Sequence, residues 1–243
     1  LEAKDDWFVY YLRATFNYAT NHLDEAWDDV LSSIDNDPQA NYPYVTGFLI
    51  AIRQGRVQDA GDMMSQMVEN EPDPTLGNRV YRATFGDNNI DVLMSGKLYE
   101  GFGNIVIGQY EPVTAFAPEF LAMMTNFDDL IQVMVEEHSD SNTQGFFPGD
   151  VMMMMGLSFC ALEDYETSME WLSQGVAVDP TSPLLRFIRI SAANELGKPD
   201  TIQEDVAVIR GLSDEFDDLI AAGENKEIQC NDFFDYFVDL GDA

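Results

Sequence analysis

The sequence predicts an all-α chain, an α-solenoid of stacked helix–turn–helix hairpins, about five to six units with a divergent middle. Three observations predict it. Three stretches close on an acidic residue and a proline, Ile34–Pro38, Val68–Pro72 and Val176–Pro180, and Pro38 and Pro72 stand 34 residues apart. That is the length of a helical hairpin whose second helix stops just before a proline, where the missing N–H costs little. Between these marks, apolar residues recur at steps of three and four, the period of a helix face. Small residues fall where two helices of a hairpin cross.

Taken in order, the first unit spans about 7–40, with Ala26, Val30, Ser33 and Pro38 in register and Ala14 and Asn17 at the crossing of its first helix. The second, 41–74, has Gly55-Arg56 at its turn, Ala60 at the close crossing, and Met64 and Met67 behind it. Residues 75–148 are divergent. Phe116–Met124 and Phe127–His138 read as one hairpin. Asn88–Tyr110, with four glycines and the run Ile105-Val106-Ile107, reads as a degenerate helix pair in preference to a short strand. The clearest unit is 149–182. Its first helix is apolar nearly all round, as expected of a helix packed on both sides, and includes Met152–Met155, read as flexible core filling. Glu163-Asp164-Tyr165 makes its turn, and Ser168, Leu172 and Gly175 or Val176 share one face of its second helix. A fourth recognisable unit, 183–214, keeps Gly197 at its turn and Ile202, Val206 and Ile209 on one stripe. Residues 215–243 form a capping segment, in which Phe233, Phe234, Phe237 and Leu240 lie among acids and cover the last repeat. The alternative is a detachable helix that docks elsewhere.

In the 149–182 unit, Gly156, Phe159, Tyr165, Ser168, Leu172 and Pro180 fall at the small, aromatic and closing-proline positions of the tetratricopeptide repeat, which the unit resembles. The resemblance covers about 130 residues and is strong in that unit alone. It implies a right-handed solenoid whose first helices line a concave surface that accepts a peptide or a helix. Carried over position by position, it places Phe8, Tyr11, Thr15 and Tyr18 on that surface in the first unit, and Tyr42, Val45, Leu49, Ile52 and Arg53 in the second. Asp150, Met153, Leu157 and Cys160 follow in the strong unit, then Leu184, Phe187, Ser191 and Asn194. An alternative is that many of them meet a neighbouring repeat or the opposite wall of a tight superhelix.

Composition narrows the role. The 243 residues are 46% hydrophobic and 12% aromatic, enough for a substantial core. Forty-four acids face twelve Lys and Arg, for a net charge of −32. A nucleic-acid binder works through a cationic footprint, which this chain lacks, and anionic membranes are excluded on the same ground. The acid excess suits salt-rich surroundings, in which screening relieves self-repulsion, or a face that meets a basic partner. Acids are spread throughout, yet Ser213–Ala243 carries ten of them against Lys226 alone.

The longest apolar run, Val151–Leu162, stops at 12, short of a membrane span. The start, Leu1-Glu2-Ala3-Lys4-Asp5-Asp6, has no leader pattern and no Met, which suggests an excised piece, cytoplasmic or periplasmic. Cys160 and Cys230, without metal-type spacing, are expected as free buried thiols.

Chemistry finds few candidates. His22 and His138 are far apart and in no ligand spacing, and Glu136-Glu137-His138-Ser139-Asp140 reads as a charged helix end. The glycines of 101–108 lack dinucleotide-loop spacing, and no nucleophile elbow or phosphate loop occurs. Carboxylates paired in sequence, such as Asp28-Asp29 and Asp217-Asp218, point in different directions on a helix. The expectation is a non-enzymatic protein-interaction module without metal or cofactor, its partner a protein or peptide favoured by basic charge. A second reading is a sensory part of a larger regulator, of the cyclase or transcription-activator type, that binds a small ligand or self-associates.

Overall fold

The computed structural model describes residues 7–70, 101–115 and 146–241, and every regular element among them is a helix. Four antiparallel hairpins are formed by α1 (Trp7–Ala19) with α2 (Leu23–Asn36), α3 (Asn41–Arg53) with α4 (Val57–Asn70), α6 (Phe146–Ala161) with α7 (Tyr165–Val178), and α8 (Pro183–Glu195) with α9 (Pro199–Arg210). Residues 101–106 are helical and turn at Gly108 into the short α5 (Tyr110–Thr114). A 3-10 turn at Asp214–Phe216 leads to α10 (Asp217–Glu224) and α11 (Phe233–Gly241).

One local device ends the first helix of each hairpin, and also the 101–106 helix and α10. A residue in the left-handed region donates its N–H three residues back, and the next N–H reaches five residues back, at Asn21, Gly55, Gly108, Glu163, Gly197 and Lys226. Such a Schellman turn satisfies the last carbonyls of a helix and reverses the chain. Asn21 and Gly55 are 34 residues apart, as are Glu163 and Gly197, so the predicted interval exists as geometry. Starts are marked too. Asp164 accepts from the Thr167 N–H and Ser182 from the Leu185 N–H, while Pro183 and Pro199 occupy first-turn positions where no N–H is needed. The proline links between hairpins are pinned alike, since Tyr44 Oη donates to Pro38 O and Arg186 to Pro180 O, each from six residues on.

The crossings are as tight as the small residues suggest. A Cβ on Gly156 would stand 2.4 Å from Leu172, and the Ser168 hydroxyl donates to Gly156 O at 2.7 Å. Met152–Met155 are buried in α6. Helices α2 and α3 stack between the first two hairpins, and α7 and α8 between the last two; α1 also touches α6 and α3 touches α8. First helices of the two pairs thus meet face to face. Residues 101–106 are helical where a strand was the alternative; the predicted hairpin at Phe116–His138 lies outside the described residues.

Two expectations need correcting. Cys160 and Cys230 are not free thiols but a disulfide, Cα–Cα 5.6 Å, closing 70 residues of chain. No local spacing signals it, because the fold alone brings the end of α6 to the loop before α11. The segment read as covering the last repeat also divides in two. Helix α10 packs on α8 and α9, whereas α11 packs on α4, in the second hairpin. Phe234 and Phe237 meet Phe48 there, with ring centroids 5.5 and 5.2 Å away, and a Cβ on Gly61 would stand 2.9 Å from Gly241 N. Backbones that close leave no room for a side chain, which explains a glycine in mid-helix despite its conformational cost.

Candidate functional site

Most residues assigned to the concave surface lie inside the molecule. Tyr11, Val45, Ile52, Met153, Leu157, Leu184 and Phe187 are buried, and Leu49 packs on the core. Tyr11 is 5.8 Å from the Tyr42 ring, and Phe8 is 6.0 Å from Tyr11. Half-buried Thr15 turns its hydroxyl onto Tyr11 O. Two smaller groups come together as sites.

The first group joins Tyr18, Arg53 and Asp150, with Asp179, which the sequence did not single out. Arg53 Nε donates to Tyr18 Oη at 2.8 Å, and that hydroxyl donates to Asp150 Oδ2 at 3.0 Å. Arg53 Nη2 pairs with Asp179 Oδ2 at 2.6 Å and lies 3.4 Å from Asp150 Oδ1. All four side chains are buried, so α1, α3, α6 and the end of α7 are tied by one charged knot. Burial pushes the Asp150 carboxyl up to about 7, with Arg53 opposing and Asp179 adding to the shift. Burial also raises the Tyr18 phenol, which stays protonated. For Arg53, burial works against the charge, but Tyr18, Asp150 and Asp179 outweigh it and keep the guanidinium protonated. One cation between two carboxylates leaves one negative charge too many, and a proton on Asp150 resolves it.

The second group surrounds a cavity of about 180 Å³ where the end of α6 and the start of α7 face α8 and the loop after α10. Cys160, Ser191 and Asn194, three of the predicted residues, line it beside Tyr165, Lys226 and Cys230. Asn194 donates to Gly223 O at 2.8 Å, and Lys226 Nζ pairs with Glu195 at 2.8 Å across the rim. Among the described residues, no group of three His, Cys, Asp or Glu could hold a metal ion.

Outside, α1 exposes an apolar stripe: Val9 and Leu12 are each 49% exposed and Phe16 is 44%. On α2, packed beside it, Asp24, Asp28 and Asp35 are exposed around Leu31. No described helix is long and apolar enough to cross a membrane. Comparison with models of protein families, with curated proteins and with solved structures returned no match to the chain.

Proposed function

We propose that the chain is a non-catalytic protein-interaction module, a tetratricopeptide-like right-handed solenoid curled so that its first helices pack on one another. Its docking surface is then the exposed stripe of α1, not the inner wall, and the occupant is a basic amphipathic helix. The observation that carries this reading is the exposed apolar row Val9, Leu12 and Phe16 on α1, together with the exposed acids Asp24, Asp28 and Asp35 on α2, the helix packed against it. The cation of α1, Arg13, is paired with Asp29 of α2, while Arg53, Arg186 and Arg189 are held in buried pairs elsewhere. A helix laid along the stripe would bury its apolar face and set Lys or Arg over Asp24 and Asp28.

Titration of a fluorescent Leu/Lys amphipathic peptide tests it. Leu12→Asp with Phe16→Asp should weaken binding at least tenfold at 0.15 M salt, while a Leu/Glu peptide should not bind. Equal affinity for the double variant would sink the proposal. The disulfide favours the oxidising, periplasmic side of the two locations considered. The small-ligand sensory reading has one observation in its favour, the cavity beside that disulfide.

A further inference from the structure

The polar groups that line the cavity beside the disulfide are only partly used within the chain. Ser191 Oγ directs its proton to Phe187 O or Ile228 O, both at 3.4 Å. Asn194 uses an amide hydrogen on Gly223 O. Each keeps an oxygen that can accept. Lys226, the one cation among the described residues that line the cavity, is already paired with Glu195. Glu163 adds a second carboxylate, so the lining carries two acids against one base, within a chain of net charge −32. A guest is therefore asked to donate hydrogen bonds and to bring positive charge.

Shape adds a second condition. The most buried lining residues are Cys160, Ile228, Cys230 and Ser191, whereas Glu163, Glu195 and Lys226 are exposed at the rim. The deep end is thus sulfur and hydrocarbon with one hydroxyl, and the charge stands at the mouth. Glu163 and Lys226 both hold left-handed backbone, φ 64° and 60°, at positions where the turns at Gly55 and Gly197 have glycine. Side chains at these two turns are retained against the left-handed region's preference for glycine, and both line the cavity. A volume near 150 Å³ takes a benzene-sized molecule, so about 180 Å³ admits roughly six to eight non-hydrogen atoms.

We propose that this cavity binds a small primary amine, its ammonium held at the rim by Glu163 and Glu195 and its short apolar body lying against the Cys160–Cys230 disulfide and Ile228. The Lys226 ammonium, seated on Glu195, marks the place that the guest's ammonium shares.

Calorimetric titration of the intact oxidised chain with n-pentylamine, at 0.15 M salt and pH 7.5, tests the assignment. Screening over about 8 Å then confines the effect to nearby charges. Saturable one-to-one binding of pentylamine is expected, with pentanol at least tenfold weaker and pentanoate silent. Glu195→Gln should weaken the amine at least fivefold, and Glu69→Gln, on the exposed side of α4, should change it less than twofold. Ala161→Trp, shown folded by circular dichroism and an intact disulfide, should abolish binding by filling the space. The assignment is overturned if pentanol binds as well as the amine, if Glu69→Gln costs as much as Glu195→Gln, if Ala161→Trp binds normally, or if no saturation is reached by 10 mM.

Discussion

The first and fourth hairpins carry the same pair in the same register and put it to different use. Arg13 reaches Asp29, and Arg189 reaches Asp205, each across 16 residues and eight positions either side of the left-handed turn residue. In the first hairpin Arg13 is 60% exposed, and it shares Asp29 with Asn17. In the fourth, Asp205 is fully buried and takes 2.6 Å contacts from both Arg186 and Arg189. At the corresponding places the second hairpin has Gly47 against Met63, where a Cβ would stand 2.8 Å from the sulfur. A single crossing point is thus filled by an ion pair whose cation alone is exposed, a tight apolar contact or a buried charge cluster. Solvent access, rather than the residue pair, decides what breaking it costs.

The largest effect should come from Asp205→Ala, which strands two guanidiniums that cannot shed their protons; chemical denaturation should show a loss of about 4 kcal/mol. That loss should be nearly flat between pH 5 and 9, because arginine does not titrate there. Arg53→Gln in the central knot should cost less, about 2 to 3 kcal/mol, since Asp150 can take up a proton to relieve the stranded carboxylates. Its cost should grow from pH 5 to pH 8, and a pH-independent loss would contradict the shared-proton account.

Gly61→Leu probes a crossing with no charge at all. It should drive α11 off α4 and cost about 2 kcal/mol by overpacking, read as a lower melting temperature. Asp29→Ala also removes a buried carboxylate, but the Arg13 guanidinium it strands is 60% exposed and stays hydrated, so it should cost less, about 1 kcal/mol. If it matched Asp205→Ala, burial would not be the deciding variable.

Asp150→Asn sharpens the comparison by its slope rather than its size. The folded carboxyl sits near 7, above its ordinary value near 4. The fold therefore holds the proton more tightly than the unfolded chain does, and this group's stabilisation, full below about pH 4, is lost as pH rises towards 7. The variant should lose that part of the decline. Parallel pH curves for the two proteins would remove Asp150 as a titrating group.

Hairpins with local punctuation were readable from the residues. Pro38 and Pro180 mark where second helices end, and Gly156 with Ser168 marks a crossing, because these features act within one hairpin. Gly55 and Gly197 announce left-handed turns, but Asn21, Glu163 and Lys226 do the same work with no compositional sign. The Arg–Asp interval of 16 was present in the sequence as a signal, two arginines three apart on an apolar helix facing an acid beyond the turn. It passed unread. Contacts across long separations were not readable at all: Arg53 to Asp150 and Asp179, Cys160 to Cys230, and α11 to α4 each depend on how hairpin pairs are brought together. The amphipathic stripe of α11 shows that it must be covered but not by what. Gly61 was its one hint, a glycine placed where a helix would prefer almost anything else.

The Cys160–Cys230 bond also has a mechanical consequence. A chain pulled from its two ends would leave the span from Cys160 to Cys230, a separation of 70 residues, out of the stretched length. At roughly 3.4 Å per extended residue this withholds about 240 Å, so oxidised and reduced molecules should differ in contour by that amount on a force–extension trace. A protease that nicks anywhere inside the loop would leave both fragments on one covalent thread.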